Sequence, residues 1–346
     1  MDVDLDKSGS AWTRRTVLAG LAAATTSGVA ATAGLSEAHA AAGPPGRRPA
    51  GSAGVRLRWL GVAGFEMLVD RRGTMTADRR VWFDPYVSRF PYLDEARAID
   101  PSKPLAVNPA VIDQALPPGS PPDLIMVSHT HWDHFADVPY LMGRHRQVKV
   151  MGTETARNFA LRYRVPGAGD RVMVCRGGEW IDIADVQVQA FTSLHTQFPG
   201  GGFWAPGTVT TTPAREQPPA PATIGDLVEG NTLSYLVTVP GRLSVLFHGA
   251  GNFIEREYQG LRPDVVIVNP SATTPTHDYL PRLLRVLGYP RHVVPAHFDA
   301  FDTPLGERGD RAATTYATFK AAVEQIGHGM RVPEYERMRH LAELSF

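Results

Sequence analysis

The sequence predicts an α/β protein: two stacked, mixed β-sheets with helices on their outer faces. Short apolar runs come first in meander-like groups and then alternate with helical stretches, and this order occurs twice. The 33 glycines and 29 prolines supply many turns and long connections, which excludes a simple helical bundle. A length of 346 residues allows one large core or two ordinary ones.

Residues 1–40 stand outside the fold. Arg14-Arg15 precedes a weakly apolar, alanine-rich run, and Ala38-His39-Ala40 then places small residues at both positions a signal peptidase reads. That order describes a secretory leader, and the paired arginines place it in the twin-arginine class. The protein is therefore expected to use the twin-arginine export machinery and to work in the periplasm or outside the cell. Gly20, Thr25, Thr26, Ser27 and Gly28 make the run too polar for a stable membrane span. Residues 41–54, rich in Gly, Pro, Ala and Arg, read as a flexible lead-in, and 55–346 as the folded domain.

Within the domain, strands are expected at 55–60, 65–69, 81–83, 124–127, 148–151, 171–174, 180–183 and 186–191. A second set follows at 233–239, 243–247, 265–268 and 292–294. Each is a short apolar run bounded by turn residues. Helical spacing predicts helices over 153–164, capped by Thr153, over 279–287, ended by Gly288 and Pro290, and over 311–326. Between the two strand sets, 198–230 contains Gly200-Gly201-Gly202 and Pro218-Pro219-Ala220-Pro221 and shows no periodicity. A loop of that length in a compact domain is functional or disordered. Balanced charge, 35 basic against 35 acidic residues, removes the electrostatic case for nucleic acid or an anionic membrane surface. The single cysteine, Cys175, ends a strand-like run and reads as a buried small hydrophobe.

The chemistry concentrates in His129-Thr130-His131-Trp132-Asp133-His134, directly after the turn Pro121-Pro122-Asp123 and the apolar run Leu124-Ile125-Met126-Val127. Side chains at a strand's end are exposed on one edge of the fold yet held by rigid backbone. Three imidazoles and a carboxylate suit zinc, with iron or manganese as alternatives.

This H-x-H-x-D-H pattern resembles the metallo-β-lactamase superfamily, and the resemblance spans about residues 55–305. It implies a four-layer αβ/βα sandwich with metals at one edge of the two sheets, and a metal-dependent hydrolase using activated water. Asp84, in Asp84-Pro85-Tyr86, stands where the family keeps a carboxylate that orients a metal-binding element. His195, in Thr192-Ser193-Leu194-His195, and His297, in Pro295-Ala296-His297, match two further motifs. The resemblance assigns His129, His131 and His195 to a first metal, and Asp133, His134 and His297 to a second, for one or two divalent ions. One motif departs. In Phe247-His248-Gly249-Ala250-Gly251-Asn252, Ala250 occupies the place of a bridging aspartate, and Asn252 is the nearest polar substitute. Its loss should weaken the second site more than the first.

Asp133 and His248 are the candidate catalytic residues. Asp133 would position water as well as ligate, and His248 would act as ligand or general acid, or stand simply as a hydrogen-bonded histidine at a strand end. His277 is a second candidate proton donor. Residues 82–90 resemble the branches containing lactonases and N-acyl-phospholipid phosphodiesterases, which leaves ester, lactone, amide and phosphodiester cleavage open. A small or lipid-like substrate is expected, under a lid formed by Phe198, Phe203 and Trp204. The alternative is a catalytically silent metal-binding or ligand-sensing protein on the same fold, supported by Ala250. The missing bridging motif leans against a β-lactamase proper.

Overall fold

Strands whose two faces both meet a core read as unbroken apolar runs, because alternate side chains enter different clusters. In Arg79–Phe83, Val81 and Phe83 enter one core and Trp82 another; in Leu243–Phe247, Val245 and Phe247 enter the first and Leu246 a third. This alternation sets the layers. The structure is a computed structural model describing residues 54–70, 79–183, 186–197, 202–210, 218–270 and 276–346. The leader and nearly all of the lead-in expected from the sequence lie outside the described residues.

The first sheet contains β1 (Val55–Gly61), β2 (Gly64–Val69), β3 (Arg79–Phe83), β4 (Leu124–Met126), β5 (Lys149–Gly152) and β6 (Val172–Val174). The second contains β7 (Trp180–Ile183), β8 (Val186–Leu194), β9 (Thr232–Val239), β10 (Leu243–Phe247), β11 (Asn252–Phe253), β12 (Val265–Val268) and β13 (His292–Pro295). β14 (Glu343–Ser345) returns to the first, whose order is β14-β1-β2-β3-β4-β5-β6. The second runs β11-β8-β9-β10-β12-β13, with β7 also on β8. In each sheet an antiparallel half passes into a parallel one, at β3–β4 and at β10–β12. The chain therefore changes sheet between β6 and β7, earlier than the long loop that separates the two strand sets in the sequence.

One core lies between the sheets, with Trp59, Phe65, Phe83, Tyr235 and Phe247 in it. A second lies under α1 (Pro109–Ala115), α2 (Trp132–Phe135), α3 (Val138–Arg144), α4 (Glu154–Arg162) and α5 (Ala168–Arg171). The third lies under α6 (Glu255–Tyr258), α7 (Tyr279–Val286) and α8 (Ala312–Ile326). The result is the expected four-layer αβ/βα sandwich of two mixed sheets. Cys175 is buried in the central core, and burial pushes its thiol up to about 12, so it is an inert packing group.

The described parts of the 198–230 loop are strapped down. Trp204, Val209, Ile224, Leu227 and Val228 pack on the second core, and Thr130 donates its backbone N–H to Glu229 at 2.8 Å. Gly230 permits this approach: it has φ +76°, and a Cβ there would meet Thr155 at 2.5 Å.

Candidate metal centre

The parallel strands end at one edge, and the loops leaving them carry the polar side chains, as open α/β sheets generally arrange their ligand sites. Asp84 follows β3, His129 to His134 follow β4, Gly249 and Ala250 follow β10, Asn269 follows β12, and His297 follows β13. His195 arrives at the same edge from β8. The short helix α2 turns the motif: His131 sits at its N-cap, so Asp133 and His134 fall in its single turn.

Two triads result. His129, His131 and His195 offer ligand atoms that all lie within 4.8 Å of one another, and so do Asp133, His134 and His297. All six residues predicted as ligands are thereby brought together in the predicted groups of three.

The hydrogen bonds fix which atoms face inward. Ser128 Oγ donates to Asp84 Oδ2 at 2.6 Å, so it accepts from His129 Nδ1 at 2.9 Å. His129 Nε2 is left as a buried lone pair with no hydrogen-bond partner. His195 Nδ1 donates to the carbonyl of Thr196 at 2.8 Å and His131 Nε2 to that of Ala205 at 3.4 Å. Their remaining nitrogens, both acceptors in those tautomers, face each other at 3.1 Å. His134 Nδ1 donates to Asp84 Oδ2 at 2.7 Å, turning its Nε2 toward Asp133 Oδ2 at 3.4 Å, where His297 Nε2 also arrives at 3.1 Å. Lone pairs and a carboxylate pointed at one another repel unless a cation lies among them, so this donor set fits divalent metal ions. Asp84 and Ser128 hold the tautomers, the role that outer partners of metal-bound histidines play.

The titration shifts follow. Burial, with the neighbouring His134, His131 and His195, holds His129 well below the ordinary histidine range. Burial and His195 bring His131 down to about 3. Burial also lowers His195. Burial opposes charge on Asp133, yet His134 and His297 outweigh it and hold the carboxyl well below the usual range. His134 goes the other way: burial lowers it, but Asp133 and Asp84 raise it more, to about 10. In the chain alone, a proton on His134 compensates the negative charge that a metal would compensate.

The sequence profile of the metallo-β-lactamase superfamily matches residues 95–241, which include His129, His131, Asp133, His134 and His195. Over this stretch the chain is similar to the metallo-β-lactamase superfamily. Among solved structures, a metallo-hydrolase of the hyperthermophilic archaeon Ignicoccus hospitalis superposes with TM-score 0.52 at 16% identity, covering 85% of this chain and 98% of that one. A metallo-β-lactamase-fold protein of Bacillus subtilis gives 0.49 at 11% identity, covering 85% and 100%. A diiron β-hydroxylase of Streptomyces venezuelae gives 0.49 at 15%, covering 86% of this chain and 55% of that one. No curated protein sequence matches the chain.

Ala250 lines the cavity in front of the triads and is 2% exposed. Among the described residues lining the cavity, no carboxylate replaces the expected bridge. Asn252 belongs to β11, pairs with Leu194 and does not line the cavity; Asn269 does. Gly249 is required beside it, since a Cβ would meet Phe83 Cζ at 2.8 Å and Asp84 Oδ2 at 2.9 Å. His248 is not where the catalytic assignment needs it. It follows Phe247 on β10 and so points to the outer helical layer, among Phe253, Tyr258 and Tyr279. Its Nδ1 lies 2.8 Å from Tyr258 OH and 3.1 Å from Ser234 Oγ, and burial brings it down to about 3. It is a neutral core histidine. His277 is exposed and does not line the cavity either. Of the expected lid, Trp204 lines the cavity, Phe203 is exposed, and Phe198 lies outside the described residues.

A buried network behind His297 has no local sequence signal. His297 donates its backbone N–H to the carbonyl of Val62 at 2.7 Å, and Val62 donates to Asp299 Oδ1 at 3.0 Å. Asp299 Oδ2 accepts from Arg89 at 2.8 Å and from His340 Nε2 at 2.8 Å. Val62, Asp84, Arg89 and His297 all have left-handed φ, at 48°, 41°, 54° and 59°. Such backbone persists in non-glycine residues only where surrounding contacts over-determine it, and it clusters at functional sites.

Proposed function

We propose that the protein is a hydrolase holding two divalent ions, zinc first and iron or manganese as alternatives, one in each triad. The substrate is a small or lipid-like molecule with an ester, lactone, amide or phosphodiester bond. The observation that carries this reading is that each triad is complete without residue 250 and both face one cavity of about 350 Å³. Five imidazoles and one carboxylate are a nitrogen-rich set, which favours zinc over magnesium or calcium. Such ions supply Lewis acidity, making water ionise near neutral pH and polarising the bond under attack.

The chain's own groups do the rest. Asp133 stays ionised and accepts hydrogen bonds from the attacking water, fixing its direction. Asp84, directly on His134 and through Ser128 on His129, holds each Nδ1 side outward so that Nε2 faces the metal sites. Tyr92 lines the cavity, and burial keeps its hydroxyl protonated by pushing it up to about 12. The surrounding rings exclude bulk water. Assays of ester, lactone, amide and phosphodiester probes with metal-loaded protein test the reading: turnover abolished by chelators supports it. Two bound ions with no turnover of any probe would instead favour the silent, ligand-sensing alternative that Ala250 suggests.

Export by the twin-arginine route, to the periplasm or medium, is part of the same proposal. Its support is Arg14-Arg15, the weakly apolar run and Ala38-His39-Ala40. Among the described residues no helix is long and apolar enough to cross a membrane. N-terminal sequencing of exported protein should find Ala41 first, and a double Arg14→Lys, Arg15→Lys variant should stay inside the cell. Export of that variant at the normal level would contradict the route.

A further inference from the structure

The triads form one side of the cavity, and most of the remaining lining is apolar. Tyr92, Trp132, Trp204, Phe301 and Ile99 supply it. The rings brace one another: Tyr92 lies 4.9 Å from Trp132 and stacks on Phe301 at 5.5 Å, and Phe301 meets His297 edge-on at 4.7 Å. Among the described residues no lysine or arginine lines the cavity, and Asp133 is its one carboxylate. Thr196, Gln197 and Asn269 are the other polar members of the lining, so a charge carried by a ligand away from the metals would enter a largely apolar wall without a counter-charge. A flat, uncharged group would bury against four rings. Trp204 adds a neutral donor, because its indole N–H is buried and has no acceptor among the described residues. The apolar surface continues at the rim, where Leu194 and Phe203 are 42% and 43% exposed beside His195 and Trp204.

We infer that the site takes substrates whose non-reacting part is an uncharged aromatic or similarly flat apolar group, seated against Tyr92, Trp132, Trp204 and Phe301. This rests on the two-metal hydrolase reading and narrows it to a substrate class. About 350 Å³ lies at the small end of ligand sites, so a ring and a reacting group fill it, whereas a long acyl chain would project past the rim.

The test uses hydroxamates, which chelate divalent metals through one constant group while the rest of the molecule varies. Zinc-loaded protein is titrated calorimetrically with acetohydroxamate, benzohydroxamate and 4-carboxybenzohydroxamate. Burying one phenyl ring should tighten benzohydroxamate about 20-fold over acetohydroxamate. The added carboxylate should remove most of that gain. Trp204→Ala and the packing-conservative Phe301→Leu should each shrink the phenyl-to-methyl ratio about fourfold or more. Trp180→Ala, on exposed β7 outside the lining, should leave the ratio intact. Equal affinity for the phenyl and methyl compounds, or full affinity for the carboxylated ring, overturns the inference while leaving the metal centre standing. Failure of all three to bind zinc-loaded protein overturns the inference together with the open metal site on which it rests.

Discussion

Asp84→Asn should weaken the metal site built on His134 far more than the one built on His129. The carboxylate is fully buried and accepts three hydrogen bonds: Ser128 N–H at 2.7 Å, Ser128 Oγ at 2.6 Å and His134 Nδ1 at 2.7 Å. An amide can keep the first, but its NH2 then faces the other two donors. His134 relieves the clash by moving its proton from Nδ1 to Nε2, which blocks the nitrogen aimed at Asp133. Each charge-assisted bond lost is worth about 1.5–3 kcal/mol. Outer-partner changes of this kind lower metal affinity about 10- to 100-fold, or about 1.4–2.7 kcal/mol, so the two scales agree. His129 reaches Asp84 only through Ser128, and its loss should be smaller. Cobalt titration against a chromophoric chelator resolves the two affinities, and thermal unfolding checks that the variant folds. Equal weakening at both sites, or none at His134, would refute the tautomer argument.

Other perturbations separate the remaining parts. Ala250→Asp should tighten the weaker ion about tenfold or more in the same chelator competition, because Ala250 lines the cavity before both triads. An unchanged affinity would mean that residue 250 does not face the ions. His134 is raised to about 10 in the chain alone, so it is protonated at pH 7–9 and must lose that proton to ligate. Loading that triad should release about one proton there, with affinity rising about tenfold per pH unit until the effect fades above pH 10. Calorimetry in buffers of different ionisation enthalpy counts the proton. Asp299→Asn strands the Arg89 charge, so denaturant unfolding should show a loss of about 3–5 kcal/mol. It should also weaken the His297 triad more than the other, since Asp299 holds Val62 and Val62 holds His297; equal losses would point to a purely structural network.

Much of the site was legible because its residue types are out of place. Three imidazoles and a carboxylate directly after an apolar strand contradict core patterning, and that contrast marked His129, His131, Asp133 and His134; His195 and His297, lone histidines after strands, were marked only by their match to the family's ordered motifs. The strands were readable for a related reason: with both faces buried, they form dense apolar runs. For His248 a signal favoured the hydrogen-bonded histidine at a strand end over the catalytic role. Val245 and Phe247 face the central core and Leu246 the outer one, so period-two alternation sends His248 outward. A second signal lay in Asn108-Pro109, a capping residue with proline at the first helical position, which starts α1. Other features had no local signature. β14 is a strand only because Glu343–Ser345 finds β1, and the switch of sheet after β6 depends on which edge accepts β7. Arg89, Asp299 and His340 meet across 252 residues of chain, from 89 to 340, and ordinary surface charges would look the same in sequence.

The two-triad centre is tested most directly by counting metal. Zinc-loaded mature protein, dialysed against buffer with weak chelator, should hold two ions per chain by mass spectrometric metal analysis. Anomalous diffraction at the zinc edge should place one among His129, His131 and His195 and the other among Asp133, His134 and His297. His131→Ala should retain the second alone. One ion or none in the unaltered protein, or an ion bound away from these six side chains, would contradict the centre described here.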